Sequence, residues 1–146
     1  MNKLFIYYSL TNNGDKVADY YKDKGYDIRK IEVKKKLPKI FFFRIMTGGF
    51  KALINYKEKL INFDNNIDNY NEIIIGSPIW FDRLSTPVRT ALNKLNLENK
   101  TIHFVLYSGS GTGKKAEEFI NKNYSSAKIT ILKEPNKYND ELKKLD

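Results

Sequence analysis

The sequence predicts an α/β fold, a five-stranded parallel sheet with helices on both faces, and two observations carry the prediction. Short apolar runs of strand length alternate along the chain with segments whose apolar residues recur at helical spacing. The central runs, such as Ile73-Ile74-Ile75-Gly76, are unbroken, as expected of strands covered on both sides.

Each element follows from its own residues. Residues 3–9 form an apolar and aromatic run that ends in the polar loop 10–14. Residues 15–24 set Val17, Ala18 and Tyr21 on one helical face and stop at Gly25. Residues 27–33 space Ile28, Ile31 and Val33 as a shorter, more exposed strand would. A helix is expected over 40–59, interrupted at Gly48-Gly49. Residues 72–77 are a strand, and 87–95 a helix with Pro87 in its first turn and Val88, Ala91, Leu92 and Leu95 inward. Residues 101–107 form another buried strand. The next helix, 113–123, is expected to turn Ala116, Phe119 and Ile120 inward. A last strand over 127–132 and a short helix over 140–145 complete the chain. No repeat or linker interrupts it, so residues 1–146 are expected to be one domain.

Composition removes several kinds of chemistry. With no cysteine there is no disulfide, thiol nucleophile or thiolate-bound metal, and the single histidine, His103, is too little for a His-based metal site or a hydrolytic triad. A metal site is therefore not expected, and no catalytic side chain is required where a cofactor carries the chemistry. The chain has no run of 18 apolar residues that could span a membrane, and its start lacks a signal-peptide layout, so it reads as cytoplasmic. The net charge of +9 is concentrated. Residues 29–59 hold ten Lys and Arg against Glu32 and Glu58, so the remainder is close to neutral. Such a face suits an acidic protein, a phosphate-bearing ligand or nucleic acid, or is simply a solvated surface. The recognised nucleic-acid modules are absent, so no nucleic-acid partner is expected.

In a doubly wound sheet ligands bind beyond the carboxyl ends of the strands, and three strand ends carry unusual loops. Ser9-Leu10-Thr11-Asn12-Asn13-Gly14 joins a buried strand to a helix start, where hydroxyls, amides and backbone N–H groups can hold a phosphate or merely cap the helix. Ser77-Pro78-Ile79-Trp80-Phe81-Asp82-Arg83-Leu84-Ser85-Thr86-Pro87 holds the only tryptophan, which could stack on a flat ligand or pack inward as a core aromatic. Ser108-Gly109-Ser110-Gly111-Thr112-Gly113-Lys114-Lys115 matches neither the nucleotidase phosphate loop nor the dinucleotide fingerprint. It is a small-residue loop that lets backbone approach a planar ligand.

These three loops, in this order on a chain of this length, resemble the short-chain flavodoxins. Tyr8-Ser9-Leu10-Thr11-Asn12-Asn13 is similar to the phosphate loop T/S-x-T-G-N-T, Ile73 to Trp80 to the strand and loop that carry the flavin, and Pro87-Val88-Arg89 to the helix that follows. The resemblance implies a three-layer flavodoxin-like sandwich with strand order 2-1-3-4-5 and FMN at the switch between strands 1 and 3. It implies that Ser9, Leu10, Thr11, Asn12, Asn13 and Gly14 form the phosphate loop. Pro78, Ile79, Trp80 and Phe81 would line one side of the isoalloxazine, and Ser108, Gly109, Ser110 and Gly111 would surround its pyrimidine edge. Asn12 stands in place of the customary glycine, and Gly14 in place of a hydroxyl residue.

The function so implied is electron transfer between redox partners through non-covalent FMN, with an acidic partner docking near residues 29–59. Two alternatives stand beside it: an FMN-dependent NAD(P)H:quinone-type reductase, and a flavin-free interaction module on the same fold. The stretch 37–53, with Phe41-Phe42-Phe43 and Gly48-Gly49-Phe50, is expected to be an amphipathic helix packed on the sheet with its lysines outward, in preference to a docking surface or a flap over the ring.

Overall fold

The computed structural model describes residues 2–34 and 57–146. The elements in chain order are β1 (Lys3–Tyr7), α1 (Asn13–Asp23), β2 (Asp27–Lys30), β3 (Glu72–Trp80), β4 (Arg83–Leu84), α2 (Thr86–Leu92), β5 (Thr101–Ser108), α3 (Lys114–Asn123), β6 (Lys128–Lys133) and a 3-10 helix (Asn139–Leu145). Five strands pair in parallel in the order β2-β1-β3-β5-β6, which is the expected 2-1-3-4-5 once the short β4 is set aside. The register runs straight across the centre: Ile6 lies opposite Ile75, and Ile75 opposite Phe104.

Strand alternation divides the core in two. Leu4, Ile6, Ile73, Ile75, Phe104 and Leu106 point to the face covered by Val88, Ala91 and Leu92 of α2 and by Ala116 and Ile120 of α3. Phe5, Tyr7, Ile74, Val105 and Tyr107 point to the other face, under Val17, Ala18 and Tyr21 of α1 and Leu145 of the terminal 3-10 helix. Both faces of the sheet are covered, which explains the unbroken apolar runs.

Three local expectations change. β3 runs three residues beyond 77 and folds back on itself, with Ile79 opposite Leu84 and Trp80 opposite Arg83. Phe81 and Asp82, the two residues between, have φ of 53° and 65°. Two positive φ values in a two-residue connection are the signature of a type I′ hairpin turn, whose twist matches that of the strands. Phe119, expected inside, is 39% exposed. Ala116 and Ile120 are four apart and stack over one another, while Phe119 falls on their flank and meets Tyr124 edge-on at 6.5 Å. The helix expected over 40–59 lies outside the described residues up to position 56, and Lys57–Lys59 are not helical. The stretch 37–53 is outside the described residues altogether. The helix expected over 87–95 is shorter, starting at Thr86 and ending at Leu92. Among the described residues no helix is long and apolar enough to cross a membrane.

Candidate functional site

The parallel register brings the ends of β1, β3 and β5 to one rim: Tyr7 lies opposite Gly76, and Pro78 opposite Tyr107. After β1 the chain turns through Asn12, which has φ 64° and ψ 0° and begins α1 without a side-chain cap. Asparagine is among the few residues other than glycine that visit this left-handed region readily, so the turn survives the replacement. The first N–H groups of α1 have no partner within the helix. The Gly14 N–H is the exception, since it donates to Ser9 Oγ at 3.1 Å.

Ser9 therefore shapes the loop as much as it lines it. Its hydroxyl also reaches Asp15, whose carboxylate accepts from Tyr7 Oη at 2.9 Å and from Lys30 Nζ at 2.5 Å. Burial works against the charge on Asp15, but the hydrogen bonds from Lys30, Tyr7 and Ser9 prevail and hold its carboxyl below the usual range. Asn13 Nδ2 donates to Thr11 Oγ1 at 3.1 Å, and Asn13 Oδ1 accepts the Asn136 N–H at 3.1 Å. Thr11 and Asn12 stay exposed, while Leu10 is half-buried against the core.

Gly14 has no space beside it. A Cβ there would sit 2.4 Å from Tyr107 Oη and 2.9 Å from Ser9 Cβ. The Tyr107 hydroxyl occupies the volume a side chain at position 14 would need, and it donates to the Tyr8 carbonyl at the end of β1. Burial keeps Tyr107 protonated far above its ordinary range. The base of the third loop thus holds the base of the first.

In the second loop Trp80 is buried, 6% exposed, with its ring edge-on to Tyr8 at 5.7 Å. Of the two arrangements open to Trp80 in the sequence, its ring takes the inward one, packed in the core beneath the hairpin. Pro78, Ile79 and Phe81 remain partly exposed at the rim. Ser77 Oγ accepts the Ser85 N–H at 3.1 Å and ties the base of the hairpin to the start of α2.

The third loop is organised by its own hydroxyls. Ser108 Oγ accepts the Gly111 N–H at 2.9 Å, and the Ser110 and Thr112 hydroxyls lie 2.8 Å apart. Gly111 has φ 75°, a conformation strained for any side chain. Gly109 has nothing within 4 Å of where a Cβ would be, so open space adjoins the loop there. Two contacts join this loop to the hairpin. A Cβ on Gly113 would meet Ile79 Cδ1 at 2.3 Å, and the Asp82 carbonyl and carboxylate accept the Ala116 and Lys115 N–H groups at 2.8 and 3.2 Å. All three loops are thereby fastened together, and Asp15, Asp82, Tyr107 and Asn136 are the fasteners sequence reasoning missed.

His103 lies on β5, with Nε2 2.9 Å from Thr130 Oγ1. Burial and then the nearby charge of Lys128 bring its pKa down to about 4, so it is neutral near pH 7. Of the basic stretch 29–59, the described part includes Arg29 paired with Asp64 and Lys30 with Asp15. Lys35, Lys36, Lys39, Arg44 and Lys51 lie outside the described residues.

Residues 55–145 match a family model described as flavodoxin. Nothing among curated proteins matches the sequence. The solved structures it is similar to include a candidate flavoprotein from Bacteroides eggerthii, 18% identical, with 97% of this chain and 96% of that one covered at a TM-score of 0.76. A flavoprotein from Lactobacillus acidophilus in complex with FMN is 19% identical over 95% of this chain and 97% of its own, TM-score 0.63. Oxidised flavodoxin 1 from Bacillus cereus is 16% identical over 99% and 92%, TM-score 0.51. At these identities the likeness is one of fold.

Proposed function

The chain belongs to the flavodoxin family, and on that premise we propose that it carries electrons between redox partners on FMN held without a covalent bond. The observation that carries the reading is the convergence of three fastened loops at the switch between β1 and β3, where strand order reverses. The residues present fit FMN. Asn12 supplies the left-handed turn that opens α1, whose first N–H groups other than that of Gly14 are donors for a phosphate, and no charged side chain lies between Ser9 and Gly14. The FMN-bound Lactobacillus relative shares this fold, which supports the same choice of cofactor.

In this reading Thr11, Asn12 and Asn13 meet the phosphate, with Ser9 and Gly14 bracing the turn beneath them. Pro78, Ile79 and Phe81 line one side of the ring, and Trp80 supports the hairpin from behind. Ser108 to Gly111 offer backbone N–H and C=O groups to the ring edge. FMN, when bound, supplies the one- and two-electron chemistry, and the protein supplies binding, orientation and exclusion of water.

Titration of the apo-protein with FMN and with riboflavin, followed by flavin fluorescence, tests this. FMN is expected to bind more tightly than riboflavin by about 100-fold, since several charge-assisted hydrogen bonds are lost with the phosphate. Equal affinities would remove the phosphate loop from the reading. No binding of either flavin would favour the flavin-free module.

A further inference from the structure

A second concavity opens on the α2–α3 side, and none of its lining residues is among those expected to contact the flavin. It encloses about 340 Å³ between Arg83 and Leu84 of β4, Arg89 of α2 and the outer face of α3. That volume lies within the roughly 300–1,000 Å³ typical of small-molecule sites. Lys115, Phe119 and Lys122 of α3 recur at helical spacing, so all three face the cavity on one side of the helix. Among the described residues it is lined by four cationic side chains, Arg83, Arg89, Lys115 and Lys122, and by one carboxylate, Glu118. Phe119 is an exposed aromatic in their midst. The Arg83 Nε is buried and has no hydrogen-bond partner among the described residues.

We propose that this cavity is a binding site for a phosphate-bearing nucleotide, distinct from the flavin rim. Arg83, Lys115 and Lys122 supply charge for the phosphates, and an arginine fork suits the geometry of phosphate oxygens. The ring of Phe119 supplies a face on which a base can stack. The cavity lies one residue from the hairpin turn through Arg83, and Asp82 ties that turn to the start of α3. An occupant would therefore lie against an element that borders the flavin rim. Free nucleotide and the adenosine end of a nicotinamide dinucleotide share this chemistry.

Calorimetric titration with ADP, on both the apo- and the FMN-loaded protein, tests the site independently of the flavin. ADP is expected to bind both forms. In Lys115→Glu/Lys122→Glu its affinity should fall by about tenfold or more, with FMN affinity unchanged. In Phe119→Ala, ADP should lose affinity while inorganic phosphate does not. All three replaced residues are exposed, so the fold should persist in each variant. NADPH that displaces ADP and bleaches bound FMN would make the occupant the dinucleotide, whereas displacement without bleaching would make it free nucleotide. Absence of ADP binding would overturn the proposal. So would ADP binding no tighter than inorganic phosphate, or binding indifferent to the lysine pair.

Discussion

Gly14 looks in the sequence like a lost hydroxyl, and in the structure it is a position with no room for one. Tyr107 fills that volume from 99 positions away from the carbonyl it bonds, a relation that no local pattern could announce. Restoring a hydroxyl with Gly14→Ser is therefore expected to weaken FMN binding and to destabilise the fold by about 1–3 kcal/mol, the usual cost of overpacking. Thermal unfolding and the FMN titration read both effects. Tyr107→Phe removes the clashing oxygen, so the double variant should recover part of the loss; no recovery would assign the damage to Ser9 or Tyr7 instead. His103 gives a pH-dependent test. Its folded-state pKa of about 4 lies below the ordinary value of 6.5, so its contribution to stability is fully present above pH 6.5. That contribution is lost as pH falls toward 4, because the unfolded chain takes up the proton first. Discounted for solvent near the strand edge, the loss is about 2 kcal/mol. Chemical denaturation of the protein and of His103→Gln at pH 7 and pH 4.5 should show a smaller drop for the variant.

At the scale of elements, the hairpin decides how the rim is built. A type I′ turn usually announces itself with Asn-Gly or Asp-Gly, and here Phe81-Asp82 adopts it. The strand signal in Ile73-Ile74-Ile75 was legible, but its extension to Trp80 and the return through β4 were not. The extension rests on tertiary fastening rather than on turn residues. Asp82 is the fastener, accepting N–H groups at the start of α3 through both its carbonyl and its carboxylate. Asp82→Ala is expected to cost about 1–2 kcal/mol, from the lost helix-start hydrogen bond and from alanine's poorer tolerance of a positive φ. If the hairpin orders the flavin rim, the same variant should bind FMN more weakly; unchanged affinity would confine Asp82 to a role in stability. The same distinction explains Trp80 and Phe119. A single aromatic at a strand end or on the flank of a helix has no period of its own. Whether it turns inward depends on what packs above it, and here Trp80 is buried and Phe119 is not. The alternation of strands and helices, by contrast, repeats along the chain, and the order of the parallel strands could be anticipated from it together with the three-loop resemblance.

Over the whole molecule, charge sets which partners approach. The chain carries a net +9, and ten of its cations fall within residues 29–59. Lys30 is neutralised locally by Asp15 and Arg29 by Asp64, so those two anchor structure more than they attract a partner. Among the described residues the cations around the α2–α3 cavity outnumber its one carboxylate and add to the net positive charge. A field of this sign concentrates acidic partners at the surface and speeds their encounter, but only while the solution leaves it unscreened. Exposed charges lose their reach beyond about 8–10 Å near physiological ionic strength. The FMN-loaded protein should therefore exchange electrons with a small acidic iron–sulfur carrier at a rate that falls by about tenfold as salt rises from about 0.01 to 0.15 M. With a basic cytochrome the dependence should reverse, because screening then relieves repulsion. Stopped-flow rates for the two probes, compared across the same salt series, separate steering by net charge from docking at a local patch. If both rates fell together, the encounter surface would be acidic for one probe and basic for the other, and net charge would not govern it.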